Sequence, residues 1–282
     1  MKKGDRDSFD RNWRARDETL YNHWTRGEPA NQIQLAFRNH WTLFLELMAD
    51  PRYRGGKRSL EVGCGRGTMS AYFSDAGFDA TLLDISAHVV ERAEQTFARD
   101  GLAGTFVVGD ANDLPFEDGE FDVVVSIGLL EHFEDVAPPV TEQIRVLAPG
   151  GLLLCYVVPH YDENVQRDFD WINEVLKGYQ EASGAEAVAK DAVFRSDLGS
   201  GRYAPILHEH GLVGVTARGV YPVPMISHSI EFPFTLMPEA SEAALVAHLT
   251  RLLAERAEQT GEHPWLCDEG YGQAFLLWGY RP

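Results

Sequence analysis

A glycine-rich turn constrains this sequence more than any other feature. The run Leu60-Glu61-Val62-Gly63-Cys64-Gly65-Arg66-Gly67-Thr68 joins a short apolar strand to a predicted helix over Met69–Ala76. Glycines at such a turn permit tight backbone geometry and the close approach of a ligand. Asp84 follows Gly63 by 21 residues, at the end of the second predicted strand. Its carboxylate can accept hydrogen bonds from both ribose hydroxyls, so the pattern predicts a site for an adenosine-containing ligand.

Strand and helix patterns alternate around this turn. Predicted strands lie at 59–62, 80–83, 105–108, 121–127 and 152–158, with predicted helices between several of them. This alternation predicts an α/β fold with a doubly wound, parallel sheet. Right-handed crossovers place the carboxyl ends of such strands along one edge, where ligands bind. Two further strands are predicted at Val213–Tyr221 and Ala274–Tyr280.

Composition and charge narrow the possible partners. The chain has 282 residues, 44% of them hydrophobic, which is typical of a folded globular protein. A formal charge of −18 disfavours nucleic acid and anionic membranes as partners, because both are polyanions. Residues 1–58 carry a net +4 and the remainder −22. This split is either a solvated acidic surface behind a basic lead-in, or an N-terminal segment that folds back over an acidic body.

The cysteine spacing and the short apolar runs argue against a disulfide-rich, a membrane-spanning or a secreted protein. The three cysteines are widely spaced and form no CxxC pair, so we expect no disulfide framework and no metal site. No apolar run approaches the roughly 20 residues that span a bilayer. The first residues also lack the apolar core of a signal peptide. The cytoplasm is therefore the expected compartment.

The glycine spacing separates two classes of cofactor. The nicotinamide and flavin fingerprint GxGxxG would place its third glycine at position 68, which is Thr68. The third glycine is instead Gly67, and Glu61 precedes the turn. This E-x-G-x-G-x-G pattern resembles motif I of the class I S-adenosylmethionine (SAM) methyltransferases. A nicotinamide-dependent oxidoreductase is the disfavoured alternative.

Three downstream segments resemble the same family in order and spacing. Gly109–Phe116 is similar to its acidic loop, Phe121–Ile127 to its motif IV, and Arg145–Gly151 to its R-V-L-x-P-G-G turn. The resemblance covers residues 40–160 well and the rest only topologically. It implies a Rossmann-like, mostly parallel seven-stranded sheet with a last antiparallel strand. It also implies the small-molecule type of methyltransferase domain (domain 11/25-like).

The resemblance implies a cofactor site residue by residue. The implied residues are Glu61, Gly63, Cys64, Gly65, Asp84, Ile85, Asp110, Ala111, Ser126 and Ile127. Glu61 would orient the glycine turn or reach the amino group of SAM, and Asp84 would hold the ribose. Ile85 would pack on adenine, while Asp110 and Ala111 would contact the adenine edge. The last two residues of the set would offer backbone groups near the sulfonium, and Cys64 would fill the loop rather than act as a nucleophile.

Candidate catalytic residues follow the predicted strands. Methyl transfer to an OH, NH⁺ or acidic CH group is assisted by a general base, and histidine suits this role. Glu131 and His132 follow the fourth strand in a pattern that resembles fatty-acid cyclopropane synthases and related methyltransferases. They would lie near the acceptor, or else form a purely structural helix start. His160 follows the fifth strand, and Tyr21 belongs to an aromatic N-terminal segment.

We therefore predict two regions and one leading function. Residues 1–57 would form a helical N-terminal lid, and residues 58–282 the SAM-binding domain. Insertions at about 160–202 and 222–270, the latter with Trp265, would cover the substrate. The predicted function is SAM-dependent methyl transfer by in-line displacement to oxygen, nitrogen or carbon of a small molecule. A non-catalytic protein that binds SAM or S-adenosylhomocysteine (SAH) is the alternative, and the oligomeric state is not predicted.

Overall fold

The structure is a computed structural model that describes residues 8, 10, 11, 13, 14, 23–160, 178, 182, 193–221 and 238–282. The helices are α1 Gln32–Met48, α2 Thr68–Asp75, α3 Ala87–Asp100, α4 Ala137–Arg145, α5 Ala204–Glu209 and α6 Glu239–Thr260. The strands are β1 Arg58–Val62, β2 Asp79–Asp84, β3 Thr105–Val108, β4 Phe121–Ile127, β5 Leu147–Val157, β6 Val213–Val220, β7 Leu266–Cys267 and β8 Ala274–Tyr280. Short 3₁₀ turns lie at Leu130–His132, Ser200–Arg202 and Glu269–Tyr271.

The eight strands found in the described part of the chain form one sheet, in the order β3-β2-β1-β4-β5-β8-β6-β7. The pairs from β3 through β5 are parallel, while β8 is antiparallel to both β5 and β6. The predicted α/β class and the antiparallel last strand are confirmed. The predicted count of seven strands is one too low, because β7 also pairs with β6. A two-residue strand carries no periodic pattern that a sequence could reveal.

One helix and one strand begin earlier in the structure than the sequence predicts. Helix α4 begins at Ala137, ahead of the predicted Val140, with prolines in its first turn. Proline is tolerated there because the first N–H groups of a helix have no partner within the helix. Strand β5 begins at Leu147, ahead of the predicted Leu152. The backbone of Gly150 and Gly151 pairs with that of Arg281, so the predicted turn is part of the sheet.

The sheet is packed on both faces. Alternation along β4 and β5 turns Val125 and Tyr156 toward a cluster that includes residues of α1 and α2. Val124 and Cys155 face the opposite cluster, which includes residues of α4 and α5. Burial on both faces explains the almost continuous apolar run of β4. Among the described helices, none combines the length and the apolar character that crossing a bilayer requires.

Candidate active site

The glycine turn connects β1 to α2 at the carboxyl edge of the sheet. The φ angles are 71° at Gly63, 51° at Gly65 and 71° at Gly67, all in the left-handed region that favours glycine. The N–H groups of Gly63 and Cys64 both donate to the carbonyl of Leu83, at 2.8 and 2.9 Å. The turn is therefore fixed to the end of β2 by its own backbone.

Glu61 anchors the start of α2. One of its carboxylate oxygens accepts hydrogen bonds from the Ser70 N–H at 2.8 Å and from the Ser70 hydroxyl at 2.6 Å. The side chain is buried, and burial raises the pKa of the carboxyl to about 7. These contacts hold the carboxylate against the first turn of α2, which follows the glycine turn, and its two predicted roles stay predictions.

Asp84 joins the turn to the start of α3. Its Oδ2 accepts from the Gly65 N–H at 3.2 Å and its Oδ1 from the Ser86 N–H at 3.0 Å. Burial raises the pKa of this carboxyl. Ile85 is half-buried beside it, at the entrance to the helix. The structure thus brings the predicted ribose and adenine contacts together at the end of β2.

The acidic loop after β3 reaches the same edge. The Gly109 N–H donates to the backbone carbonyl of Asp84 at 3.0 Å. Asp110 is exposed, and its Oδ1 accepts from the backbone and side-chain N–H groups of Asn112 at 2.9 and 2.8 Å. Ala111 is buried next to it. These two residues lie where the resemblance predicts the adenine edge.

The end of β4 completes the cofactor edge. Ser126 is buried, and the Gly128 N–H donates to the carbonyl of Tyr156 at 2.9 Å. Ile127 is half-buried between them. A Cβ atom on Gly63 would lie 2.8 Å from the Leu129 side chain, so the glycine turn packs directly against the chain leaving β4. Ser126 and Ile127 therefore lie near the predicted cofactor residues.

A buried histidine and glutamate follow at the 3₁₀ turn. Nδ1 of His132 lies 2.6 Å from the carbonyl oxygen of Phe194. A carbonyl only accepts, so Nδ1 carries the proton and Nε2 is the basic nitrogen of the neutral ring. Nε2 lies 3.9 Å from Oε1 of Glu131. Burial raises the pKa of Glu131, and its Oε2 has no hydrogen-bond partner within the described part of the chain.

Comparisons with known proteins agree with this geometry. A family profile described as a methyltransferase domain matches residues 60–155. Tocopherol O-methyltransferase of Arabidopsis thaliana is 34% identical over 140 residues, which are 45% of this chain and 40% of that protein. Demethylmenaquinone methyltransferase of Beutenbergia cavernae is 44% identical over 105 residues, which are 36% of this chain and 40% of that protein. Residues 60–155 of this chain therefore form a domain similar to those of the class I SAM-dependent methyltransferases.

The sequence similarity covers only part of each relative, whereas the similarity of fold covers nearly the whole chain. The chain aligns with only 40% of the length of each of these two relatives. A chain from the complex of the Haloferax volcanii Trm112 methyltransferase activator with a methyltransferase is 22% identical. It has a TM-score of 0.56 and covers 99% of this chain and 97% of that one. At this identity the structural likeness shows the fold alone.

The residues of this domain suit SAM as the cofactor. A second structure of the same fold, a Haemonchus contortus phosphoethanolamine N-methyltransferase, contains SAH. It is 17% identical with a TM-score of 0.55, and the match covers 97% of this chain and 57% of that one. In this chain the Asp84 carboxylate suits a ribose with two hydroxyls. The turn at Gly63 and Gly65 presents backbone without side chains where a ligand must approach closely.

Residues 193–198 belong to the candidate site but could not be recognised from the sequence. The Ser196 N–H donates to the carbonyl of Glu131, and the His160 N–H donates to the carbonyl of Ser196, both at 2.8 Å. Residues 193–198 therefore link the end of β5 to the 3₁₀ turn. The contacts use backbone atoms far apart in sequence, so no residue type reveals them. His160 is exposed and joins the site through this backbone link, whereas Tyr21 lies outside the described residues.

Two residues of the N-terminal segment, Asp10 and Trp13, lie close to the glycine turn and to the start of α3. The Ser86 hydroxyl donates to a carboxylate oxygen of Asp10 at 2.5 Å. The indole of Trp13 would lie 3.3 Å from a Cβ atom on Gly65. The guanidinium of Arg66 stands 6.0 Å from the centre of the Trp13 ring. These residues therefore lie over the predicted cofactor edge.

The three cysteines of the chain are buried, and none of them forms a disulfide. Burial raises the pKa of the Cys64 thiol well above its ordinary value, which disfavours the reactive thiolate. The described residues contain no group of three or more His, Cys, Asp or Glu side chains that could hold a metal ion. Cys64 therefore fits the predicted role of a small loop residue.

Proposed function

We propose that this chain transfers a methyl group from SAM to a small, largely apolar molecule at oxygen, nitrogen or carbon. The observation that carries the proposal is the buried pair of Glu131 and His132 beside the glycine turn. The imidazole is tied to the Phe194 carbonyl at 2.6 Å. A basic nitrogen and a carboxylate thus stand together at the edge where the cofactor residues meet.

His132 would act as the general base. Its Nε2 would take the proton from the acceptor atom as that atom forms its bond to the methyl carbon. Glu131 would then stabilise the imidazolium across the 3.9 Å between Nε2 and Oε1. The Phe194 carbonyl would hold the ring in the one tautomer that leaves Nε2 unprotonated.

The remaining residues would supply alignment and exclude water. When bound, SAM supplies a methyl group that its sulfonium already activates. Glu61 and Asp84 would fix the glycine turn and the ribose, so that the acceptor approaches in line with the breaking bond. Residues 193–198 would cover the side of the site next to His132. His160 and Tyr21 stay candidates for contacts with the acceptor.

The N-terminal segment would serve as a lid, as the domain division predicts for residues 1–57. Support comes from the contacts of Asp10 with Ser86 and of Trp13 with the turn at Gly65. An indole over a bound sulfonium would also gain cation–π energy, on the order of 1–2 kcal/mol when desolvated. The predicted insertions at about 160–202 and 222–270 would close the acceptor side.

Relatives and charge support the class of acceptor. The two relatives are named for tocopherol and demethylmenaquinone, both small molecules with apolar bodies. The formal charge of −18 disfavours nucleic-acid substrates. We therefore favour a neutral or cationic metabolite over a polyanion.

Transfer of labelled methyl groups tests this function. The full chain is incubated with methyl-labelled SAM and a metabolite panel that includes phenols, hydroquinones and amines, and labelled product and SAH are quantified. Turnover with one class supports the proposal. SAM and SAH binding without turnover on any acceptor would favour the non-catalytic alternative. Thermal stabilisation by NAD or NADP, but not by SAM or SAH, would overturn the proposal.

A further inference from the structure

A fully buried imidazole on α1 has no partner for either nitrogen. His40 is 0% exposed, and neither Nδ1 nor Nε2 has a hydrogen-bond partner among the residues that the structure describes. Buried polar groups are nearly always paired, because an unpaired one loses its bonds to water without replacement. A phenylalanine would fill the same space without this cost. The histidine therefore requires an explanation beyond packing.

A second unpaired group stands beside it. Trp265 is also 0% exposed, and its indole Nε1 lacks a hydrogen-bond partner within the described ranges. The rings of His40 and Trp265 are 5.2 Å apart and nearly perpendicular, at 72°. Tyr156 lies 4.6 Å from His40, with Phe37 and Phe44 at 5.9 and 6.0 Å. Two unpaired polar groups thus share one aromatic enclosure.

The enclosure adjoins the acceptor side of the proposed active site. The carbonyl of Tyr156 accepts the Gly128 N–H at 2.9 Å. A Cβ atom on Gly128 would lie 3.6 Å from Oε1 of Glu131. One residue, Gly128, therefore separates the backbone of the enclosure from the buried carboxylate. The enclosure is thus connected to Glu131 through Gly128 and the backbone of Tyr156, while His40 and Trp265 are separate from the pair of Glu131 and His132.

We propose that His40 and Trp265 together bind a hydroxyl group of an otherwise apolar methyl acceptor. An indole N–H only donates, and a neutral imidazole offers one acceptor nitrogen. A hydroxyl accepts one hydrogen bond and donates another, so a single phenol or alcohol group satisfies both side chains. The surrounding rings suit an apolar body. The inference rests on the proposed function for its acceptor, but its contacts are separate from those of His132.

The low pKa of His40 suits a residue that binds the acceptor hydroxyl, not one that removes its proton. Burial lowers the pKa of His40 to about 3, with a smaller contribution from nearby His263. The ring is therefore neutral near pH 7 and too weak a base to deprotonate an alcohol. His40 would select the acceptor and orient it, which makes it a binding and positioning residue.

Nuclear magnetic resonance with a matched pair of probes tests the inference. The ¹⁵N-labelled full chain is saturated with SAH and titrated with p-cresol, and separately with toluene, which lacks the hydroxyl. The indole N–H signal of Trp265 is assigned by its loss in Trp265→Phe. We expect p-cresol to move this signal downfield and toluene not to do so. In His40→Phe, p-cresol should bind about tenfold more weakly, the factor for one lost neutral hydrogen bond.

Each outcome decides the question. An unmoved Trp265 signal, an equal response to both probes, or undiminished p-cresol binding in His40→Phe would overturn the inference. If His40→Phe does not fold, the imidazole signals of His40 in Trp265→Phe replace it as the readout, and they must respond to p-cresol alone. SAH binding and methyl turnover are measured on the same samples. Failure of the proposed methyltransferase function would thus appear separately from failure of this hydroxyl site.

Discussion

Two carboxylates at the proposed cofactor edge differ in their hydrogen bonding from three buried side chains on the proposed acceptor side. At the cofactor edge, Glu61 and Asp84 each accept two hydrogen bonds from the chain itself. On the acceptor side, Glu131, His40 and Trp265 each keep a buried polar atom without a partner in the described part of the chain. The carboxylates that would hold a constant cofactor are thus already fixed by the chain. The side that would recognise a particular acceptor keeps polar atoms available.

The largest effect should come from the acceptor side. We expect His132→Gln to lower the turnover number roughly 100- to 10,000-fold, because the general base is removed. SAM affinity should change little, since His132 is not part of the glycine turn. Initial rates and calorimetric SAM titrations measure both quantities. His208→Gln is the matched control on an exposed histidine of α5 that has no proposed role. An equal loss of turnover and SAM affinity in His132→Gln would indicate a structural role.

The rigidity of the cofactor edge is tested by its glycines. In Gly67→Ala the new Cβ would lie 2.5 Å from the buried Leu82, at a φ of 71°. Left-handed strain and overpacking together predict a loss of about 2–5 kcal/mol in unfolding free energy. Gly101→Ala has a similar φ of 67° with nothing within 4 Å, and should lose only about 1–2 kcal/mol. Equal losses in urea denaturation would show that close packing at the turn contributes nothing.

Glu61 should make stability depend on pH. Its pKa in the folded protein, about 7, lies above the ordinary value of 4.5, so the folded state binds the proton more tightly. The stabilisation is complete below pH 4.5 and is lost as the pH rises to about 7, by roughly 3 kcal/mol at most. Glu61→Gln should flatten this part of the curve. Denaturation of both proteins between pH 4 and 8 measures it, and identical profiles would contradict the buried environment.

The smallest expected effect concerns cofactor affinity alone. Asp84→Ala should weaken SAM binding by roughly 1–3 kcal/mol, the contribution of hydrogen bonds to a charged group. Asp110→Ala, on an exposed residue, should have a smaller effect. Calorimetry with SAM on the two variants gives the comparison. Unchanged affinity in Asp84→Ala would remove Asp84 from the ribose site.

The sequence predicted the fold best where the backbone conformation or the burial of a strand restricts which residues can occur. The glycine turn was predictable, because only glycine adopts positive φ at such positions readily. Strands β4 and β8 were predictable, since burial on both faces leaves a continuous apolar run. Strand β7, of two residues, and the pairing of Gly150 with Arg281 were not, because neither alters the local pattern.

The acceptor side was less predictable for a physical reason. Glu131 and His132 were found through a motif, but the Phe194 carbonyl that orients His132 is a backbone atom 62 residues away. His40 occupies the apolar stripe of a helix, where its neighbours Phe37 and Phe44 give it the pattern of a core residue. Its unpaired nitrogens are properties of the assembled fold, and no local spacing reveals them.

The position of β8 bears on how the chain is made. This strand follows every other strand in sequence, yet it lies between β5 and β6 in the sheet. Until residues 274–280 leave the ribosome, β5 has an unpaired edge, which is a template for association with other chains. The sheet therefore keeps an open edge at β5 until the segment that forms β8 has been synthesised.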